Sequence, residues 1–128
     1  MVIDTHILIW FVTENPRLST GVREILETAP SEVYVSAVSL WEIAMSHERG
    51  RLGLEFEDLT SGILEMVNVP GFNLAPVTAE IAIRSRTLEF PHNDPGDRFI
   101  AATAFELQLP LATVDRRLHS LPWLKTIQ

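Results

Sequence analysis

Four acidic residues, Asp4, Glu42, Asp97 and Asp115, carry the chemistry that this sequence suggests. Each also has an ordinary structural reading. Asp4 ends an apolar stretch and is suited, in competition with Thr5, to cap the helix that follows. Glu42 stands three residues after Ser39, so Ser39-Leu40-Trp41-Glu42 has the form of a capping box. Asp94, Pro95 and Asp97 occupy the N-cap, first and third positions of a predicted helix, where carboxylates favour free N–H groups and the positive end of the dipole. Asp115 closes a second apolar run and reads as a cap or turn residue.

Their joint placement points further. Asp4 and Asp115 end predicted strands, Glu42 follows a third strand by one helical turn, and Asp97 lies one turn into a helix that must pack on the same sheet. Open α/β sheets bind ligands beyond the carboxyl ends of their strands. Four carboxylates on that rim would raise one another's pKa values, so the crowding implies a compensating divalent cation. Oxygen-only ligands favour Mg²⁺ or Mn²⁺. The reaction that suits such a site is metal-assisted phosphodiester hydrolysis, in which one cation activates water and, in two-metal sites, a second stabilises the leaving oxygen.

The elements needed to position these acids are legible as short apolar strands alternating with helices. Met1–Asp4 reads as a buried strand, Thr5–Val12 as an apolar helix, and Ser19 or Thr20 as the cap of a helix running to about Thr28. Glu32–Ser36 is β-branched and aromatic, and a helix is expected from Ser39 toward Arg49, stopping at Gly50. Asp58–Val67 reads as a helix with Leu59, Ile63, Leu64 and Val67 on one face; together with the preceding helix it is expected to protrude as a hairpin. Phe72–Val77 is extended, Thr78 caps a helix through Leu88, and Phe90–Pro95 is the loop before the Asp97 helix. Leu109–Asp115 is a strand, Leu118–Leu121 a turn, and Trp123–Ile127 a last strand. This alternation predicts an α/β protein whose parallel sheet is covered on both faces. With no repeat, low-complexity tract or linker, residues 1–128 are expected to form a single domain.

Composition narrows the class. The chain has 128 residues, 46% hydrophobic and 21% charged, which is an ordinary globular balance. The absence of cysteine excludes disulfides, thiolate catalysis and sulfur-ligated metal centres. The apolar run Ile7–Val12 is too short to span a bilayer, so no membrane association and a cytoplasmic location are expected. A formal net charge of −7 argues against a protein that coats nucleic acid, yet suits a site that concentrates carboxylates around a cation. Lys125 is the only lysine, and arginine is better matched to phosphate. Arg98, Arg116 and Arg117 adjoin the expected rim and could hold phosphates. Thr113 is placed to hydrogen-bond a carboxylate or water. His6 is expected to be a partly buried residue of its apolar helix, His47 and His119 surface residues, and His92 an exposed loop residue that could assist the site. Trp10, Trp41 and Trp123 are read as core, although an exposed one could stack on a base.

Four segments, in this order, resemble the PIN-domain ribonucleases, specifically the VapC-type toxins of bacterial toxin–antitoxin pairs. They are Val2-Ile3-Asp4-Thr5-His6, Val35 through Ile43, His92-Asn93-Asp94-Pro95-Gly96-Asp97-Arg98 with Ile100–Ala104, and Ala112-Thr113-Val114-Asp115. The resemblance spans nearly the whole chain. It implies a three-layer α/β/α sandwich with a central parallel sheet, and an Mg²⁺- or Mn²⁺-dependent endoribonuclease acting on RNA. It also implies inhibition by a cognate antitoxin, and commonly a homodimer. By position it assigns Asp4, Glu42, Asp97 and Asp115 to the metal site, with Asp4 and Asp97 as principal ligands and Asp94 and Thr113 in support. Two positions depart from the pattern. Gly96 stands where a bulky apolar residue is usual, which adds backbone freedom beside Asp97, and Ser46 replaces a common basic residue. Neither phosphoryl-transfer alternative fits. His6 stands where a haloacid-dehalogenase pattern needs its second acid, and Thr5 with a lone Lys125 does not supply the acid pair and late lysine of a response-regulator receiver. The remaining alternative is a PIN-like interaction module that binds an antitoxin or RNA and cuts little or nothing.

Overall fold

A computed structural model describes residues 1–128. Five short strands, β1 (Val2–Ile3), β2 (Tyr34–Ser36), β3 (Asn73–Ala75), β4 (Leu111–Ala112) and β5 (Thr126–Ile127), form one sheet in the order β3-β2-β1-β4-β5. All pairings are parallel, so every strand ends at the same edge. Val2 lies opposite Tyr34 and Leu111, and Ile3 opposite Val35 and Ala112. Because successive side chains alternate across a strand, these two rows feed two separate cores. Ile3, Val35 and Ala112 pack with Leu8, Val22, Leu26, Ile43 and Ile63 on one face. Val2 and Leu111 pack with Ile100, Ala101, Ala104 and Leu118 on the other.

The first face carries helices α1 (Thr5–Val12), α2 (Thr20–Thr28), α3 (Ala37–Glu48) and α4 (Leu59–Val67); the second carries α5 (Ala79–Thr87), α6 (Pro95–Leu107) and α7 (Arg116–His119). The outcome is the α/β architecture with a covered parallel sheet. The small side chains of Ala101, Ala102 and Ala104 are fully buried and let α6 lie close to both the sheet and α5. No helix is long and apolar enough to cross a membrane.

Several expectations shift locally. The helix expected from Ser39 starts earlier, at Ala37, because the buried Ser36 hydroxyl ends β2 and accepts the Val38 N–H at 3.1 Å. Ser39 and Glu42 therefore lie inside α3 and form no capping box. The α3–α4 pair does not protrude: Ile63 and Met66 of α4 are buried in the first core, and Leu64, expected on that face, is half exposed. Gly50, with φ of 68°, occupies the left-handed region just past α3, where a side chain would be strained. The region expected to be a turn, Leu118–Leu121, begins within α7. Trp41 is exposed rather than core.

The packing makes one quantitative demand. Ile43 is fully buried between the α3 backbone and the sheet, and its truncation leaves a cavity that close-packed neighbours fill only in part. Ile43→Ala is expected to lower unfolding stability by about 2–4 kcal/mol, read from urea denaturation. A loss well under about 1 kcal/mol would show that α3 is not anchored through this residue.

Candidate active site

The parallel sheet delivers its strand ends to one cleft, lined by Asp4, Glu42, Asp94, Asp97 and Asp115. β1 leads directly to Asp4. That residue caps α1 by accepting the His6 N–H on Oδ1 at 2.8 Å. Its other oxygen, Oδ2, accepts the buried Thr113 hydroxyl at 2.6 Å, a bond that joins the end of β1 to the end of β4. Thr113 Oγ1 in turn accepts the Asp115 N–H at 3.1 Å, so one hydroxyl orients two of the acids. Asp115 caps α7 through Arg117 N–H at 2.9 Å.

Glu42 comes from the middle of α3. Thr5 donates its hydroxyl to Glu42 Oε1 at 2.6 Å and lies 3.0 Å from the buried Ser39 Oγ. The capping-box residues are thus drawn to α1 instead of to their own helix terminus. Asp94 caps α6, accepting the Gly96 N–H at 3.0 Å, and Asp97 follows in the first turn of that helix. Carboxylate oxygens of Glu42, Asp94 and Asp97 lie within 4.8 Å of one another, as do ligand atoms of His92, Asp97 and Asp115. Asp97 belongs to both trios and is the hub of the cluster. Asp4 belongs to neither, although it lines the same cleft.

The electrostatics follow from this crowding. Burial, followed by the charges of Asp94, Asp4, Glu42 and Asp115, pushes the Asp97 carboxyl up to about 7. Glu42 is also raised, mainly by burial and against the pull of the Thr5 hydrogen bond. Asp115 moves the other way because the Arg117 guanidinium grips it, with Nη2 2.8 Å from Oδ2 and Nε 3.1 Å from Oδ1. The same Arg117 Nη2 is 3.8 Å from Asp97 Oδ2. A cluster of carboxylates that must keep a proton near neutrality, or borrow a guanidinium, fits a divalent cation.

The basic and aromatic residues are distributed differently from expectation. Arg98 is engaged in holding the loop before α6: Nε donates to His92 O at 3.2 Å, Nη1 to Ser85 O at 3.0 Å and Nη2 to Asn93 Oδ1 at 3.3 Å. Arg116 is exposed and does not line the cleft, whereas Arg17 and Arg117 do. His92 is not an exposed loop residue. Its side chain is mostly buried, Nδ1 accepts the Asp94 N–H at 3.1 Å, and Nε2 is 3.4 Å from Asp97 Oδ2 without a hydrogen-bond partner. In the neutral ring the accepting Nδ1 leaves the proton on Nε2, facing Asp97. The two-residue spacing from His92 to the capping Asp94 was the available signal, because it turns the ring back over the helix start. His6 is exposed at the cleft beside Trp10, with ring centroids 6.0 Å apart, and is not a packed residue of its helix. His119 is half-buried and bridges Thr126 Oγ1 at 2.6 Å and Thr113 O at 3.1 Å, which ties β5 to β4.

A parallel sheet with an acidic rim, three helix-capping aspartates and the further acids Glu42 and Asp97 in the same cleft defines a candidate nuclease-type metal centre. The PIN domain family model matches residues 1–124. Ribonuclease VapC22 of Mycobacterium tuberculosis is 34% identical over 122 residues, covering 94% of this chain and 90% of that protein. This chain belongs to the PIN domain family. Among solved structures, VapBC2 from Rickettsia felis bound to a promoter DNA fragment matches with a TM-score of 0.68 at 14% identity, covering 98% of this chain and 96% of that one. A toxin–antitoxin complex from Klebsiella pneumoniae matches with a TM-score of 0.65 at 24% identity, covering 99% and 95%. These two likenesses concern the fold.

The raised Asp97 carboxyl links stability to pH. An unfolded aspartate loses its proton near 3.8, whereas folded Asp97 keeps it to about 7. The stabilisation from that retained proton is complete below the lower value and lost as pH rises through the upper one. In EDTA the protein is therefore expected to lose stability between about pH 4 and about pH 7, and Asp97→Asn to be the more stable form at about pH 8, by about 1–2 kcal/mol after solvent screening. Urea melts across that range read this directly. A wild-type stability that climbs as pH rises would contradict the crowding.

Proposed function

We propose that this protein is a divalent-cation-dependent endoribonuclease that hydrolyses RNA phosphodiester bonds and serves as the toxin of a type II toxin–antitoxin pair. The observation that carries this reading is the convergence on Asp97 of Glu42 and Asp94 from one side and Asp115 and His92 from the other. Membership of the PIN domain family and the 34% identity to a ribonuclease support the reaction class. Asp4, Asp97, Glu42 and Asp115 are the residues proposed to hold the cation, with Asp94 and Thr113 in support. A bound Mg²⁺ or Mn²⁺ would polarise the attacking water and neutralise charge on the phosphate.

The remaining roles belong to the protein's own groups. Thr113 and the α1 amide keep Asp4 from rotating, and Thr5 fixes one oxygen of Glu42. Burial raises the Glu42 carboxyl, and a bound cation would offset that cost by favouring its ionised form. Arg17 and Arg117 are the cleft cations available to a phosphate. The adjoining faces of His6 and Trp10 offer a surface for an unpaired base. The net charge of −7 suits a protein partner that brings basic groups to this rim, as an antitoxin segment would.

Purified protein incubated with total RNA should cleave it with Mg²⁺ or Mn²⁺ and not with EDTA. Asp97→Asn should reduce cleavage on the order of a hundredfold or more while the protein stays folded, since a neutral amide is a poor ligand for a hard cation. Gel analysis of the RNA and circular dichroism of the variant read the two halves. Cleavage that persists in EDTA and in Asp97→Asn would remove the assignment, and a folded wild type that binds RNA without cutting it would make the chain an interaction module.

A further inference from the structure

Gly96, the second residue of α6, sits fully under the Glu42 carboxylate. A Cβ built on it would lie 2.3 Å from Glu42 Oε2, 2.5 Å from Cδ and 3.1 Å from Cγ, separations that no stable contact permits. The backbone does not require glycine here, because Gly96 is helical and is not among the positive-φ residues. Space alone requires it. This replaces the expectation from sequence that Gly96 loosens the backbone beside Asp97. The helices on either side are held in place: Ser39 and Ile43 of α3 are fully buried, and Gly96 N–H is committed to Asp94. The far end of Glu42 is the movable part, and its other oxygen, Oε1, is the one held by the 2.6 Å bond from Thr5.

We propose that Gly96 is a positioning residue: its missing side chain forms the seat that holds the Glu42 carboxylate within the acidic cluster. The seat is a matter of geometry. Its consequence for the reaction rests on the assignment of Glu42 to the cation site made above. In this chain's packing even a methyl at 96 would meet the Glu42 carboxylate and turn it out of the cluster, leaving Asp97 with one fewer ligand partner, although alanine is the better helix former.

The experiment is a double-mutant cycle of wild type, Gly96→Ala, Glu42→Ala and the double variant, with two readouts. Thermal midpoints in EDTA test the seat. The change Gly96→Ala should be more favourable in the Glu42→Ala background, where the added methyl meets no carboxylate, than in the wild type. A Gly96→Ala chain that folds only when Glu42→Ala accompanies it shows the same coupling. Additive midpoints, or failure to fold in both backgrounds, overturn the proposal. Calorimetric Mn²⁺ titration tests the consequence. Gly96→Ala should weaken binding about tenfold or more in the wild type and cause no further loss in Glu42→Ala. Coupled midpoints with unchanged Mn²⁺ affinity uphold the seat and remove Glu42 from the cation site. Absence of Mn²⁺ binding by the wild type counts against the proposed function and leaves the midpoints to decide the seat.

Discussion

Carboxylates repel, and this fold depends on forces that hold several of them together at one sheet edge. The forces are local. Asp4, Asp94 and Asp115 each accept a backbone N–H from the helix they begin, which neutralises part of the charge on each and fixes its orientation. Caps of this kind contribute about 1 kcal/mol apiece and favour the ionised acid. The structural and the chemical roles of these residues are therefore not rivals. The helix start that stabilises the fold is the same contact that aims the carboxylate.

Asp97 and Glu42 have no such support from an amide, and they carry the electrostatic strain. Both sit against other acids with much of their surface removed from water, and both hold protons more tightly than ordinary carboxyls. Arg117 relieves part of the excess charge by pairing with Asp115 and approaching Asp97. An arginine in this place is a monovalent substitute with fixed geometry. A divalent cation would satisfy more of the oxygens at once, which is why the cluster favours one.

The scaffold around the cluster is built to keep its parts from relaxing apart. Thr113 links the ends of two strands that are far apart in sequence, and Thr5 links α1 to α3. Arg98 and His92 brace the loop that leads into α6, with the guanidinium 5.2 Å from the Phe90 ring centroid. These second contacts are buried or half-buried hydrogen bonds, whose loss would leave polar groups without partners. They convert a repulsive arrangement into a rigid one.

The elements, their order and the parallel sheet were legible in the sequence, because apolar runs of two periods and strong caps at Ser19, Thr78 and Asp94 are local signals. The acids themselves were legible as residue types ending strands or beginning helices. Where the readings diverged, the deciding contact was long-range. Ser36 and not Ser39 begins α3, which frees Glu42 to turn toward Thr5. Arg98 faces the chain's own carbonyls and Arg116 lies outside the cleft, while Arg117 reaches it as expected. Gly96 serves a side chain on another helix, a fact that no spacing along the chain encodes. Sequence alone determines which groups can cap, ligate or pair, since those are properties of residue types and their neighbours. Which of them meet, and at what distance, is set by packing across the sheet, where close contact admits one arrangement of side chains.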